Sequence, residues 1–285
     1  MSDEQLDSSD PSHLSDPYAV IAAWYDLEHD PLTADSEMYQ ELLGDLAAGG
    51  VGRLRVLEIG AGSARLAAAL APSGYAVVGV EPSTAMRARA AHRLTTLPER
   101  VARRIQIVAG TATNLSAAGS EPFDAAIFGL NTFAHLLTSD EREQALQSVS
   151  ARLKANGLLL IDLDLAGPRR LAETAGHVWR LGTWRVGDGS QGSGQGEEYV
   201  THFTVGAPGA EPAILTVTHF YDSHTQGGPL RRSVATTSFA LLARGEVELA
   251  LRYAGFTVTA VYGSYDLAPY EESSPHAILV ARRVG

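Results

Sequence analysis

The chain of 285 residues contains no cysteine. That removes disulfides, thiolate metal sites and cysteine nucleophiles in one step. No run approaches ~18 uninterrupted apolar residues, so no membrane span is expected. Positive charge is in deficit: 22 Lys and Arg stand against 33 Asp and Glu, for a formal charge of −11. Neutralised phosphates supply most of the affinity for nucleic acid, so this balance argues against nucleic acid as the main partner. The opening MSDEQLDSSDPSHLSD is acidic and lacks the basic-then-apolar order of a signal peptide. Residues 1–16 read as a flexible tail, and the protein as cytoplasmic. What the chain does have is core material, with 45% hydrophobic residues, enough for one large domain or two small ones.

From residue 17 the pattern is regular. DPYAVIAAWYDLEHD reads as one short helix started by Pro17. A second helix from about Asp35 has Met38, Leu42, Leu43 and Leu46 on one face, and glycines 49–50 stop it. Strands at 54–59, 75–80, 105–109, 123–129 and 158–164 then alternate with helices at 63–71, 83–97 and 139–155. Ser63 is placed to cap the first of these helices, and Thr138 with Glu141 forms a capping box for the last. Such alternation predicts an α/β, doubly wound, mostly parallel sheet covered on both faces. From about 166 to 241 the chain turns β-rich, in four partly alternating stretches that predict an inserted antiparallel sheet. The Gly- and Ser-rich run at 187–198 inside it reads as mobile. A helix at 244–254 capped by Gly255 and two last strands close the pattern.

The stretch VLEIGAGSARL at 56–66 joins a buried strand, a tight glycine turn and a helix. A nicotinamide dehydrogenase fingerprint has a third glycine and an acid about 20 positions on. Here the third glycine position is Arg65, and Glu81 supplies a carboxylate able to hydrogen-bond both ribose hydroxyls. The wider arrangement VLEIGAGSARLAAALAPSGYAVVGVEPSTAMRARA resembles the first two motifs of the class I S-adenosylmethionine-dependent methyltransferases. PFDAAIFGLNTFAHLL resembles that family's fourth strand and following loop, and LKANGLLLIDLDL its fifth strand. The resemblance implies a seven-stranded Rossmann-like sheet with an antiparallel final strand at 17–165 and 242–285. The insertion at 166–241 would then be a lid, a homodimer interface, or both. It implies S-adenosylmethionine as cofactor, held by Glu58, Gly60, Ala61, Gly62, Glu81, Pro82 and Met86. Gly110, Thr111 and Ala112 after the third strand, and Gly129 and Leu130 after the fourth, complete that set. Ala64 stands where the family commonly has a glycine, and Thr111 where it often has the acid that meets the adenine amine.

Methyl transfer needs the acceptor held close and water excluded, and a general base helps when the acceptor must lose a proton. His135, in NTFAHLL, is the first candidate base; sugar-amine N-methyltransferases carry a histidine at the matching position. The alternative is a histidine that packs between short helices. Tyr25, in WYDLEH, is the second catalytic candidate: it resembles the family's lid tyrosine, which closes over the methionine end of the cofactor, and otherwise anchors the first helix. Arg65 is placed to pair with the methionine carboxylate or to remain a solvated helix residue. Asn131, Asp164 and Tyr221 are the substrate-binding candidates. Asp162 and Asp164 share a strand face, but no third ligand accompanies them and no metal is expected. His202, His219 and His224 do not have zinc spacing and read as surface or pocket-lining residues. Trp179, Trp184, Phe203, Phe220 and Tyr221 read as one packing face of the inserted sheet. No cysteine serves pyrimidine methylation, and LNTFA does not resemble the loop of base amino-methylases. The expected reaction is methylation of nitrogen or oxygen on a small molecule, with a lean to nitrogen. A nicotinamide-dependent reductase and a non-catalytic cofactor-binding module are the other readings.

Overall fold

The computed structural model describes residues 16–51, 53–164, 175–186, 197–209 and 213–285. Most of the expected tail, and the Gly/Ser run as far as 196, lie outside these residues. The chain begins with α1 (Tyr18–Ile21), α2 (Tyr25–His29) and α3 (Ala34–Leu46). Then come β1 (Arg55–Ile59), α4 (Arg65–Leu70), β2 (Ala76–Glu81), α5 (Thr84–Thr96), α6 (Glu99–Ala102) and β3 (Ile105–Ala109). β4 (Phe123–Phe128), α7 (Ser139–Arg152) and β5 (Leu153–Asp164) complete the first run. Four strands follow: β6 (Val178–Val186), β7 (Glu198–Pro208), β8 (Ile214–Thr225) and β9 (Arg231–Ala240). The chain ends with α8 (Arg244–Tyr253), β10 (Phe256–Tyr262) and β11 (His276–Arg283).

Seven strands form one sheet in the order β10-β11-β5-β4-β1-β2-β3, in which β11 alone runs against its neighbours. β6 to β9 form a separate antiparallel sheet in chain order. The period-2 alternation of β1 sends Leu57 and Ile59 into the core on one face and Val56 into the core on the other. Because β4 lies beside β1 while β2 lies on its far side, crossovers leave this point in opposite directions. The cleft at the carboxyl ends of β1 and β4 is where such sheets bind ligands.

Local departures from the expected pattern have local causes. The first helix is two: α1 ends at Ile21, and the chain turns through 22–24 before α2. That break lets Ile21 and Trp24 pack on the inserted sheet with Val200 and Tyr221. α3 passes into a π turn, Ala47–Val51, rather than stopping at glycine. Ser63 does not cap α4; the N-cap is Ala64, left-handed at φ 62 and without a side-chain bond. The capping box of Thr138 and Glu141 forms as expected. α7 stops at Arg152, so β5 starts five residues before the expected strand. The five aromatics of the insertion divide between the sheet's faces. Trp184 and Tyr221 join the cluster under α1 and α2, whereas Phe203 and Phe220 pair one register position from His202 and Tyr221 and so face the other way. Trp179 is exposed.

Candidate functional site

The cleft at the β1–β4 switch opens into a cavity of about 620 Å³. Its floor is the turn after β1. Gly60 (φ 69) and Gly62 (φ 56) adopt left-handed backbone, which glycine takes at little cost. A Cβ on Gly60 would come within 2.5 Å of Thr132 Cγ2, so only glycine lets the loop after β4 close on this turn. Gly60 N–H donates to Val80 O at 2.8 Å, and Gly62 N–H to Glu81 Oε2 at 2.9 Å. Glu81 Oε1 accepts from Ser83 N–H at 2.8 Å, so one carboxylate fixes both the glycine turn and the start of α5.

Burial shapes the electrostatics here. It raises the Glu58 carboxyl to about 8, with Arg65 opposing and Glu81 adding to the shift. Glu81 is also raised by burial, against its two backbone hydrogen bonds. Tyr25 sits over the turn, its hydroxyl 3.9 Å from where a Cβ on Gly62 would lie, and stacks on His29. Tyr18 Oη is 3.0 Å from His135 Nε2 on the cavity wall. Burial lowers His135 to about 4, against a hydrogen bond to the Ser238 backbone, and raises the Tyr18 phenol.

Of the residues expected to hold the cofactor, Tyr25, Glu58, Gly60, Ala61, Gly62 and Arg65 line the cavity. So do Glu81, Pro82, Met86, Thr111, Ala112, Gly129 and Leu130, and so does His135. Gly110 does not; a Cβ there would meet Val80 Cγ1 at 2.9 Å, so it serves the turn after β3. None of Asn131, Asp164 and Tyr221 is a lining residue. Asn131 Oδ1 accepts from Asp164 N–H at 3.2 Å, and Tyr221 is buried against His202 and Trp24. Arg65 is at the cavity, yet its guanidinium is engaged by Asp35 and by Leu32 O. Asp162 Oδ2 accepts from Tyr265 Oη at 2.9 Å and from Leu130 N–H at 3.3 Å, a structural task. His202 is not at the surface or the pocket; it is buried, at 2% exposure. Sequence reasoning missed Tyr18, whose partner lies 117 residues away, and Asp16, whose carboxylate accepts from Ser83 Oγ at 2.6 Å at the cavity edge.

Comparisons with known proteins agree with this geometry. Residues 57–159 match the family model described as a methyltransferase domain. An uncharacterised methyltransferase of Oceanobacillus iheyensis is 30% identical over 149 residues, covering 50% of this chain and 63% of that protein. The chain thus matches about three fifths of the length of such curated relatives. Among solved structures, the S-adenosylmethionine-bound amino pentose methyltransferase CalS10 of Micromonospora echinaspora superposes with a TM-score of 0.66 at 20% identity. That match covers 93% of this chain and 97% of CalS10. The sugar N-methyltransferase KedS8 of Streptoalloteichus superposes with a TM-score of 0.68 at 18% identity, both chains fully covered. Residues 57–159 thus match a methyltransferase domain, and the fold is that of solved S-adenosylmethionine-dependent methyltransferases. S-adenosylmethionine is the ligand in the CalS10 structure, and the residues lining this cavity fit such a group. Glu58 Oε2 is buried and has no hydrogen-bond partner among the described residues, as an acid kept for a polar group of the ligand would be. Glu81 has acceptor capacity for ribose beyond its two backbone bonds. Among the described residues, no helix is long and apolar enough to cross a membrane.

Proposed function

We propose that the chain moves the methyl group of S-adenosylmethionine to a nitrogen or oxygen of a small-molecule acceptor, with an amine the better fit. The observation that carries this reading is the Tyr18–His135 pair, on the wall of the cavity that also holds the glycine turn and Glu81. When bound, the cofactor supplies an electrophilic methyl carbon on a sulfonium; orientation, dryness and proton handling fall to the protein. Near neutral pH a histidine lowered to about 4 is uncharged and so able to accept a hydrogen bond. With its proton on the nitrogen that faces the Ser238 backbone, Nε2 carries the lone pair. An acceptor ammonium must shed a proton before its nitrogen can attack. His135 Nε2 receives it once Tyr18 turns its O–H to the acceptor, and an imidazole lowered to about 4 then passes that proton on to water. Tyr18 keeps its own proton, because burial raises the phenol. It therefore serves as a donor that orients the imidazole or an acceptor oxygen. Tyr25 closes the turn from above and excludes water. The acceptor meets Tyr18 and His135 in this reading, rather than Asn131, Asp164 and Tyr221.

Two features support nitrogen over oxygen: the likeness in fold to an amino pentose and a sugar N-methyltransferase, and the acidic balance of the chain. The test begins with calorimetric titration of S-adenosylmethionine, S-adenosylhomocysteine and NADH in parallel. Binding of the first two without the third, followed by transfer of labelled methyl to amines ahead of alcohols, is the expected result. Binding of NADH alone would return the glycine turn to a reductase. Binding without turnover on any acceptor would leave a cofactor-binding module.

A further inference from the structure

A row of buried polar groups runs from α2 into the inserted sheet, outside the cavity. His202 Nδ1 on β7 stands 2.9 Å from Glu28 Oε1 on α2. Both atoms are buried, and this close contact is an ion-pair contact: neither atom has an aligned hydrogen-bond partner among the described residues. His202 Nε2 is 3.1 Å from His219 Nδ1 on β8, and His219 Nε2 is 2.8 Å from Thr237 Oγ1 on β9. The row thus crosses three neighbouring strands and ends on a short helix. His202 stacks on Tyr221 with centroids 4.1 Å apart, and Tyr221 stacks on Trp24, the residue before α2.

The Tyr18–His135 chemistry uses none of these groups. Burying a carboxylate beside two imidazoles is costly unless they satisfy one another, so the row invites a positional explanation. Glu28 shares a five-residue helix with Tyr25. Asp26 on the same helix is held from the other side by Arg89 and Arg93 of α5, at 2.6 to 2.8 Å. The helix is therefore pinned twice, to the nucleotide-binding core through Asp26 and to the inserted sheet through Glu28. Tyr25 is the first residue of that same pinned helix and lies over the glycine turn.

We propose that Glu28 and His202 are positioning residues that seat Tyr25 over the cofactor cavity, so that the inserted sheet sets how tightly the cofactor is held. Only the identity of the ligand rests on the methyltransferase reading. The test uses the full chain and S-adenosylhomocysteine. In Glu28→Leu and His202→Leu, dissociation of the ligand accelerates about tenfold, the size expected for a lost buried polar contact to a carboxylate, with little change in association. Glu28→Gln, whose amide oxygen still accepts from an imidazole N–H, keeps most of the wild-type residence time. The double leucine variant is no worse than the weaker single one, because the two act through one contact. Unchanged dissociation in a folded Glu28→Leu protein overturns the proposal, as does equal loss in Glu28→Gln and Glu28→Leu.

Hydrogen exchange on the ligand-free protein gives a second readout. Amides of 25–30 exchange faster in Glu28→Leu than in wild type while those of β1 and β4 do not change; equal exchange at 25–30 also overturns the proposal. Thr237→Val, at the far end of the row, substitutes in the exchange measurement if the leucine variants do not fold. A wild-type protein that fails to bind S-adenosylhomocysteine overturns the methyltransferase reading, and exchange at 25–30 still decides the pin.

Discussion

Glu81 already spends both carboxylate oxygens on backbone, one on Gly62 N–H and one on Ser83 N–H. Removing it takes away the proposed ribose acceptor and the tie that shapes the glycine turn. Glu81→Ala should weaken S-adenosylhomocysteine binding by about 1–3 kcal/mol by calorimetry, and Glu81→Gln, which keeps one acceptor, by less. His135→Ala should lower turnover roughly 100-fold while changing cofactor affinity little, as loss of a proton acceptor does. Equal losses in steady-state turnover and calorimetric affinity would make His135 a packing residue. Most of the cavity's floor was legible from residues 56–86, because glycines, acid and helix start follow one another in the chain. Tyr18 was not. Its neighbours in sequence say only that a helix begins there, and its partner His135 arrives through tertiary folding alone. The buried state of His202 was equally silent, since a histidine in an alternating strand reads the same on either face.

The strands and long helices of the sheet matched their hydrophobic period closely, with errors at the ends, where capping decides. The start of α4 shows why. Ser63 has the side chain for a cap, yet its carbonyl accepts from Arg93 Nε at 2.9 Å, and the N-cap falls to Ala64 in left-handed backbone. An alanine in that region loses ~1 kcal/mol or more to its Cβ, while burying the methyl returns about 0.8 kcal/mol. Ala64→Gly should therefore leave the melting temperature within a few degrees of wild type. Ala64→Val, which is β-branched at a positive φ in a fully buried site, should lower it by well over that. The break between α1 and α2 follows the same logic at larger scale. Helical periodicity continued through 22–24, but the inserted sheet offered Ile21 and Trp24 a surface that a straight helix does not reach.

For the molecule as a whole, buried histidines and carboxyls set a pH dependence of stability. His135 and His219 each fall to about 4 in the folded chain, below their ordinary 6.5. Between these values the unfolded chain binds protons that the folded chain does not, so stability drops as pH falls from about 6.5 to about 4. Glu58 rises from 4.5 to about 8. The folded chain there keeps a proton that the unfolded chain releases, so this contribution declines as pH climbs towards about 8. His29, also lowered by burial, adds to the acid limb and Glu81, also raised by burial, to the upper one, and the free protein should be most stable between the two limbs, near about pH 6.5. Melting curves across pH test this: Glu58→Gln should flatten the upper limb and His135→Phe part of the lower.

The seat of α1 and α2 between the two sheets also fixes an order of assembly. Residues 18–29 leave the ribosome about 170 to 200 residues ahead of Val200 and Tyr221, the groups they pack against. They must wait, solvated, until that late-made surface exists. Contacts so distant along the chain are slow to close. The ligand cavity should accordingly be the last part of a nascent molecule to mature.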